Sequence, residues 1–203
     1  MGTGWPERPD TGNSLIMSVS PEHLHGQGDK AAAPRRRGSC TARQAAAAVL
    51  TASVALYIAL VAFGNITDFG TNQQFVRHVL AMDTTFRDED LMWRAITSRA
   101  WQDAAYVAII VWETASALVL IAGTWLWLRR DPGRARAVST VGLSMLLLLF
   151  GAGFLAIGGE WFAMWQSEKW NGLQSATRIL LLSGLALLAV HATGGREGAE
   201  RSD

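Results

Sequence analysis

The chemistry this chain could do begins with the few ionisable residues set inside apolar runs. Glu113 lies nine residues past Ala104, where one such run starts, or about 13 Å at about 1.5 Å per residue. At that depth an unaided charge is expensive, so the residue requires either a partner or a function. The last apolar run contains Arg178. If Asn171 caps that helix with Gln174 at the third position, Arg178 lies about 10 Å in, near the depth of Glu113. A Glu113 and Arg178 pair would keep both charged inside a bundle, while the competing arrangement sends Arg178 outward to Glu160. Structural pairing, a proton or ion relay and ligand binding are the three roles open to Glu113.

A second set of polar residues falls between the apolar runs. His78 has Asp68, Asp83 and Glu160 as carboxylates that could converge on it. One histidine among scattered acids is a poor metal site, because zinc sites combine at least two His or Cys at short spacing. No metal and no cofactor is expected. Cys40 stands in a basic segment before the first run, where palmitoylation rests on position alone and an inert thiol is the simpler reading. The chain has no G-x-S-x-G elbow, P-loop, dinucleotide-binding glycine pattern, H-E-x-x-H or haem-attachment motif, so no enzyme class is indicated.

These residues must be positioned by membrane helices. Half of the 203 residues are hydrophobic, only 17% are charged and the net charge is +1, which excludes disorder throughout and a nucleic-acid binder acting by bulk charge. Four runs are long enough to cross about 30 Å of hydrocarbon, at 45–63, 104–128, 137–157 and 176–192. The expected fold is all-α, a four-helix membrane domain over 44–192. A disordered basic tail (1–43) containing Arg35, Arg36 and Arg37 precedes it, and a short tail (193–203) follows. The turn from Arg129 to Arg136 is net +3, whereas the 64–103 segment has four Arg against six acids. The positive-inside rule therefore places both termini in the cytoplasm, with loops 64–103 and 158–175 outside, and the bias of 16 Arg to two Lys suggests a high-GC bacterial genome and so a bacterial inner membrane.

In lipid, helices associate through small residues and satisfied polar groups. Ala48, Ala52, Ala55, Ala59 and Ala62 form one stripe on the first span, and Gly142, Gly151, Gly153, Ser183 and Gly184 offer further close approaches. The outer loops carry two expected amphipathic helices. One is capped by Thr71 with Gln74, and the other begins at Asp88 ahead of Leu91, Met92, Ala95 and Ile96. Trp93, Trp101, Trp161, Trp165 and Trp170 read as an outer aromatic belt, with Trp125 and Trp127 as its inner counterpart.

The loops also resemble a known family. The runs Gly64 to Asn72, Val76 to Phe86, Leu91 to Ile96 and Gly158 to Ser167, with Trp170, Asn171 and Gly172, are similar to the bacterial predicted small integral membrane proteins of domain-of-unknown-function family 2165. The resemblance spans about Ala45 to His191 and implies four membrane helices with the distinctive residues in the outer loops. It implies no activity, cofactor or catalytic residue. One departure is Arg87, where a Pro is expected after Phe86 and where its absence would loosen the turn into the second surface helix.

The distinctive residues crowd one side: Asn65, Asp68, His78, Asp83, Trp93, Arg94, Glu160, Trp161, Trp165 and Asn171. A non-enzymatic accessory subunit, docking this cap on a membrane-protein partner or a second copy within the lipid bilayer, is the first expectation. The alternative is a small transporter or ligand sensor with Glu113 and Arg178 at the floor of a pocket walled by Trp112, Trp161 and Trp165. An enzyme acting on lipid or quinone through Glu160, His78 or Asp83 ranks third.

Overall fold

The computed structural model describes residues 41–194. The expected tail with Cys40 and Arg35 to Arg37, and all of the C-terminal tail beyond Gly194, lie outside them. Helix α1 (Ala42–Thr67) starts on a capping box: Thr41 Oγ1 accepts the Gln44 amide at 3.3 Å, and Gln44 Oε1 accepts the Thr41 amide at 3.1 Å. The helix thus starts three residues before the first span expected from Ala45, with Arg43 inside its first turn. Helix α3 (Arg99–Leu128), a third span covering Pro132–Trp161, and α5 (Leu173–Ala192) complete four helices that are long and apolar enough to cross a membrane. Their outward faces carry Leu56, Leu60, Leu118, Leu185 and Leu188, as lipid contact requires. The protein is an integral membrane protein.

The spans form a ring in which α1 packs on α3 and α5, and the third span closes the far side against the same two helices. Ile58, Leu120, Leu143, Leu146 and Val190 fill its centre. Close approach is concentrated between α3 and the third span. A Cβ on Gly142 would lie 2.7 Å from the Leu120 side chain, and one on Gly123 would lie 3.2 Å from the backbone of Ser139. The alanine stripe of α1 runs along the edge of its buried face, with Ala55 and Ala62 buried and Ala48, Ala52 and Ala59 half-buried. Gly184, expected at a contact, faces open space.

The third span is not one kind of helix. It begins as α4 (Pro132–Leu147), with Pro132 in the first turn and Asp131 accepting the Arg134 amide, then continues as a π-helical segment over Leu148–Trp161. The wider winding spans four glycines, Gly151, Gly153, Gly158 and Gly159, and ends with the Phe162 amide on Ile157 at 3.0 Å. It brings Phe150 and Phe154 into a stack at 5.2 Å. π-Helical turns are uncommon and concentrate at functional sites.

Helix α2 (Phe69–Ala81) forms a cap over one end of the bundle. It starts earlier than Thr71; Thr71 lies inside it and donates to Asp68 Oδ1 at 3.0 Å, so the Thr71 and Gln74 capping box does not form. The second expected surface helix is absent. Asp88 ties the chain into turns instead: its carboxylate accepts the Asp90 amide, its carbonyl accepts those of Leu91 and Met92, and only a 3-10 turn at Met92–Arg94 follows. Arg87 does not loosen this corner. Its φ of 55° is inaccessible to proline, its amide donates to Thr85 Oγ1, and its guanidinium donates to the Asp83 carbonyl.

Candidate ligand cavity beneath the helical cap

Asn65 lies in the last turn of α1, where carbonyls lack partners within the helix. Tyr106 of α3 supplies one, its hydroxyl donating to the Asn65 carbonyl at 3.1 Å. The Asn65 side chain then links cap to membrane interior. Its Oδ1 accepts from Asn72 Nδ2 of α2 at 2.8 Å, and its Nδ2 donates to Glu113 Oε2 of α3 at 2.7 Å. Each amide atom has a partner of the right polarity, so a directed chain runs from Asn72 through Asn65 to Glu113. Glu113 itself is 2% exposed.

Glu113 does not pair with Arg178. Arg178 faces outward from α5, exposed, and forms no ion pair with Glu113 or Glu160. The reason is register. The buried face of α5 is Ala176, Ile179, Ser183, Ala186 and Val190, which turns position 178 away. Asn171 is likewise not the N-cap; that position is Gly172, whose space is set by the Phe75 ring 2.8 Å from where a Cβ would stand. Asn171 instead accepts the Leu173 amide in a local turn.

Glu113 borders a partly open cavity of about 490 Å³ lined by all four spans, α2 and the 169–172 loop. Its aromatic walls are Tyr57, Phe75, Tyr106, Phe150, Phe154 and Trp170, which include both tyrosines of the chain. Lys169 stands at the rim, exposed, its ammonium 5.0 Å from the Trp170 ring centre. A smaller, almost wholly apolar cavity of about 180 Å³ shares Phe75, Val76, Ile109 and Phe154 with it. The expected walls are elsewhere: Trp112 donates its indole N–H to the Met145 carbonyl at 3.0 Å, and neither Trp161 nor Trp165 lines the cavity.

The cap is held over this opening by a bidentate ion pair. Arg77 donates to both Asp103 oxygens at 2.8 Å, and Gln73 donates to the same carboxylate at 3.0 Å. Hydrogen bonding to Asp103 raises the Arg77 guanidinium above its ordinary pKa, against the desolvation that lowers it. His78 meets only one of its three expected carboxylates, Asp83, at 2.9 Å, and stacks on Trp170 at 4.7 Å. Asp68 binds Thr71, and Glu160 is exposed near the end of the π-helical segment. No group of three His, Cys, Asp or Glu gathers among the described residues.

The remaining cap residues form a separate cluster. Trp93 and Trp161 meet edge to face at 5.5 Å, and the Arg94 guanidinium lies 4.7 Å from the Trp161 ring centre. Trp165 meets Phe86 edge to face at 6.0 Å. At the opposite end, Trp125 is exposed beneath Arg129 in the manner of an interface anchor. Trp127 is not an anchor, since it is 7% exposed and donates to Ser139 Oγ in the core.

Sequence reasoning selected Asn65 and Glu113 but missed Asn72, Tyr57, Tyr106 and Phe154 as their neighbours. One signal was available: Tyr106 lies seven residues before Glu113, two turns up the same helix face.

A family model described as predicted small integral membrane protein (DUF2165) matches residues 43–193. The chain belongs to that family. No curated protein and no solved structure matches it.

Proposed function

We propose that this member of the family is a ligand-binding membrane module, a sensor or small transporter, whose site is the cavity over Glu113. The observation that carries this reading is the chain from Asn72 through Asn65 to Glu113, which delivers a buried acceptor to a space that side chains leave unfilled. A bundle built only to pack would close that space, because interiors are dense and buried polar groups are costly. Its volume falls within the range typical of small-molecule sites. Thermal unfolding of the full chain in lipid nanodiscs, against ions, amines, amino acids and lipids, tests the reading. A ligand at about 100 times its Kd adds about 2.7 kcal/mol. We expect stabilisation by at least one class and its loss in Glu113→Gln; stability unmoved by every class overturns the reading.

Arg178 favours a second reading, an accessory subunit. An exposed cation without an ion-pair partner among the described residues, about 8 Å into a membrane helix, suits a partner helix bearing an acid. Gentle extraction at natural expression level, followed by native mass measurement, checks it. A stoichiometric protein partner lost in Arg178→Leu supports docking there, and a lone bundle removes this reading.

A further inference from the structure

The buried carboxylate and the walls around it specify the charge and shape of an occupant. Glu113 has one hydrogen-bond donor, the neutral amide of Asn65, and no ion pair among the described residues. When ionised, a carboxylate that deep is ordinarily matched by a cation. Of the cations on the surrounding elements, Arg77 of α2 holds Asp103, Lys169 of the loop lies over Trp170, and Arg178 of α5 faces outward. Six aromatic residues line the same space, five of them besides Trp170, which His78 and Lys169 already cover, and aromatic faces attract cations that are weakly hydrated. We propose that the occupant is an organic ammonium ion with an apolar body, its nitrogen beside Glu113 and its body against these rings.

This inference rests on the reading of the cavity as a ligand site and names the ligand class. A metal ion fits poorly, because hard cations need several oxygen ligands while Asn65 Oδ1 is already occupied by Asn72. An anion would face Glu113 directly, and a neutral molecule would leave the carboxylate unmatched. The adjoining apolar cavity has room for an alkyl or aryl substituent. Lys169 at the rim opposes cation entry, so its charge weakens binding without taking part in it.

Binding of benzyltrimethylammonium to the full chain in nanodiscs, measured by calorimetry beside its uncharged isostere neopentylbenzene and the anion benzenesulfonate, tests the proposal. The cation is expected to bind about tenfold or more tighter than the isostere. Glu113→Gln, which retains shape, should lose a similar factor, and the exposed substitution Lys169→Glu should tighten binding several-fold. Equal affinity for the isostere, or unchanged affinity in Lys169→Glu or in a Glu113→Gln protein of unchanged helical content, overturns the proposal. Binding of the isostere or the anion without the cation removes the ligand class while the cavity remains a ligand site. Failure of every class in both calorimetry and the thermal panel removes both readings.

Discussion

Asn65 is the residue on which the cap and the membrane interior depend together, since it serves Asn72, Tyr106 and Glu113 at once. Replacing it by leucine removes the donor of the Glu113 carboxylate and the acceptor of Asn72, while the backbone carbonyl that Tyr106 reaches is kept. Asn65→Leu should therefore cost about 1–3 kcal/mol, read as a lowered denaturation midpoint. Asn72→Ala should cost less, because Asn72 is only half-buried and water can replace its partner. Arg178 behaves in the opposite way. With no ion-pair partner among the described residues, Arg178→Gln should leave monomer stability within about 0.5 kcal/mol, measured by the same denaturation. A loss matching that of Glu113→Gln would revive the ion pair that the geometry removes.

Among the elements, the contact between α3 and the third span is the least tolerant of added volume. Gly142→Val places a Cβ against fully buried Leu120 and should cost about 1–3 kcal/mol. Gly184→Ala is the matched control. Open space surrounds its Cβ, so the gain in helix propensity should leave stability unchanged or raised by up to about 1 kcal/mol. Thermal unfolding of both variants in one detergent separates close packing from mere glycine content. Helix α2 is held differently, by polar contacts of Gln73 and Arg77 with Asp103. Arg77→Ala should accelerate amide hydrogen exchange across 69–81 while leaving the spans protected; uniform protection would show that apolar contacts of Val76 suffice.

For the whole molecule, charge asymmetry between the two ends sets the orientation we propose. Arg129, Arg130, Arg134 and Arg136 gather at the turn opposite the cap, and Trp125 stacks under Arg129 there. A reporter fused after His191 should remain cytoplasmic, and Glu160→Cys in a chain lacking Cys40 should react with a membrane-impermeant thiol reagent from outside. An outward reporter would reverse the membrane face from which the cavity is reached.

The four spans are legible in the residues alone, because runs of apolar residues matched to bilayer thickness need no long-range information. The sequence also picked out Glu113 and Asn65, since an intramembrane acid and the unusual Gly64 to Asn72 string are legible without a fold. Their company depends on how the helices pack. Arg178 is close to Glu113 in estimated depth, yet helix rotation governs partnership, and depth along an axis carries no information about rotation. The surface helix expected after Asp88 failed for a related reason: apolar spacing cannot register that a carboxylate will satisfy the backbone locally. The cavity was least legible, because it is the space left when α2, four spans and a π-helical segment settle against one another. Its aromatic walls come from separate elements, and their convergence is a property of packing rather than of any local run of residues.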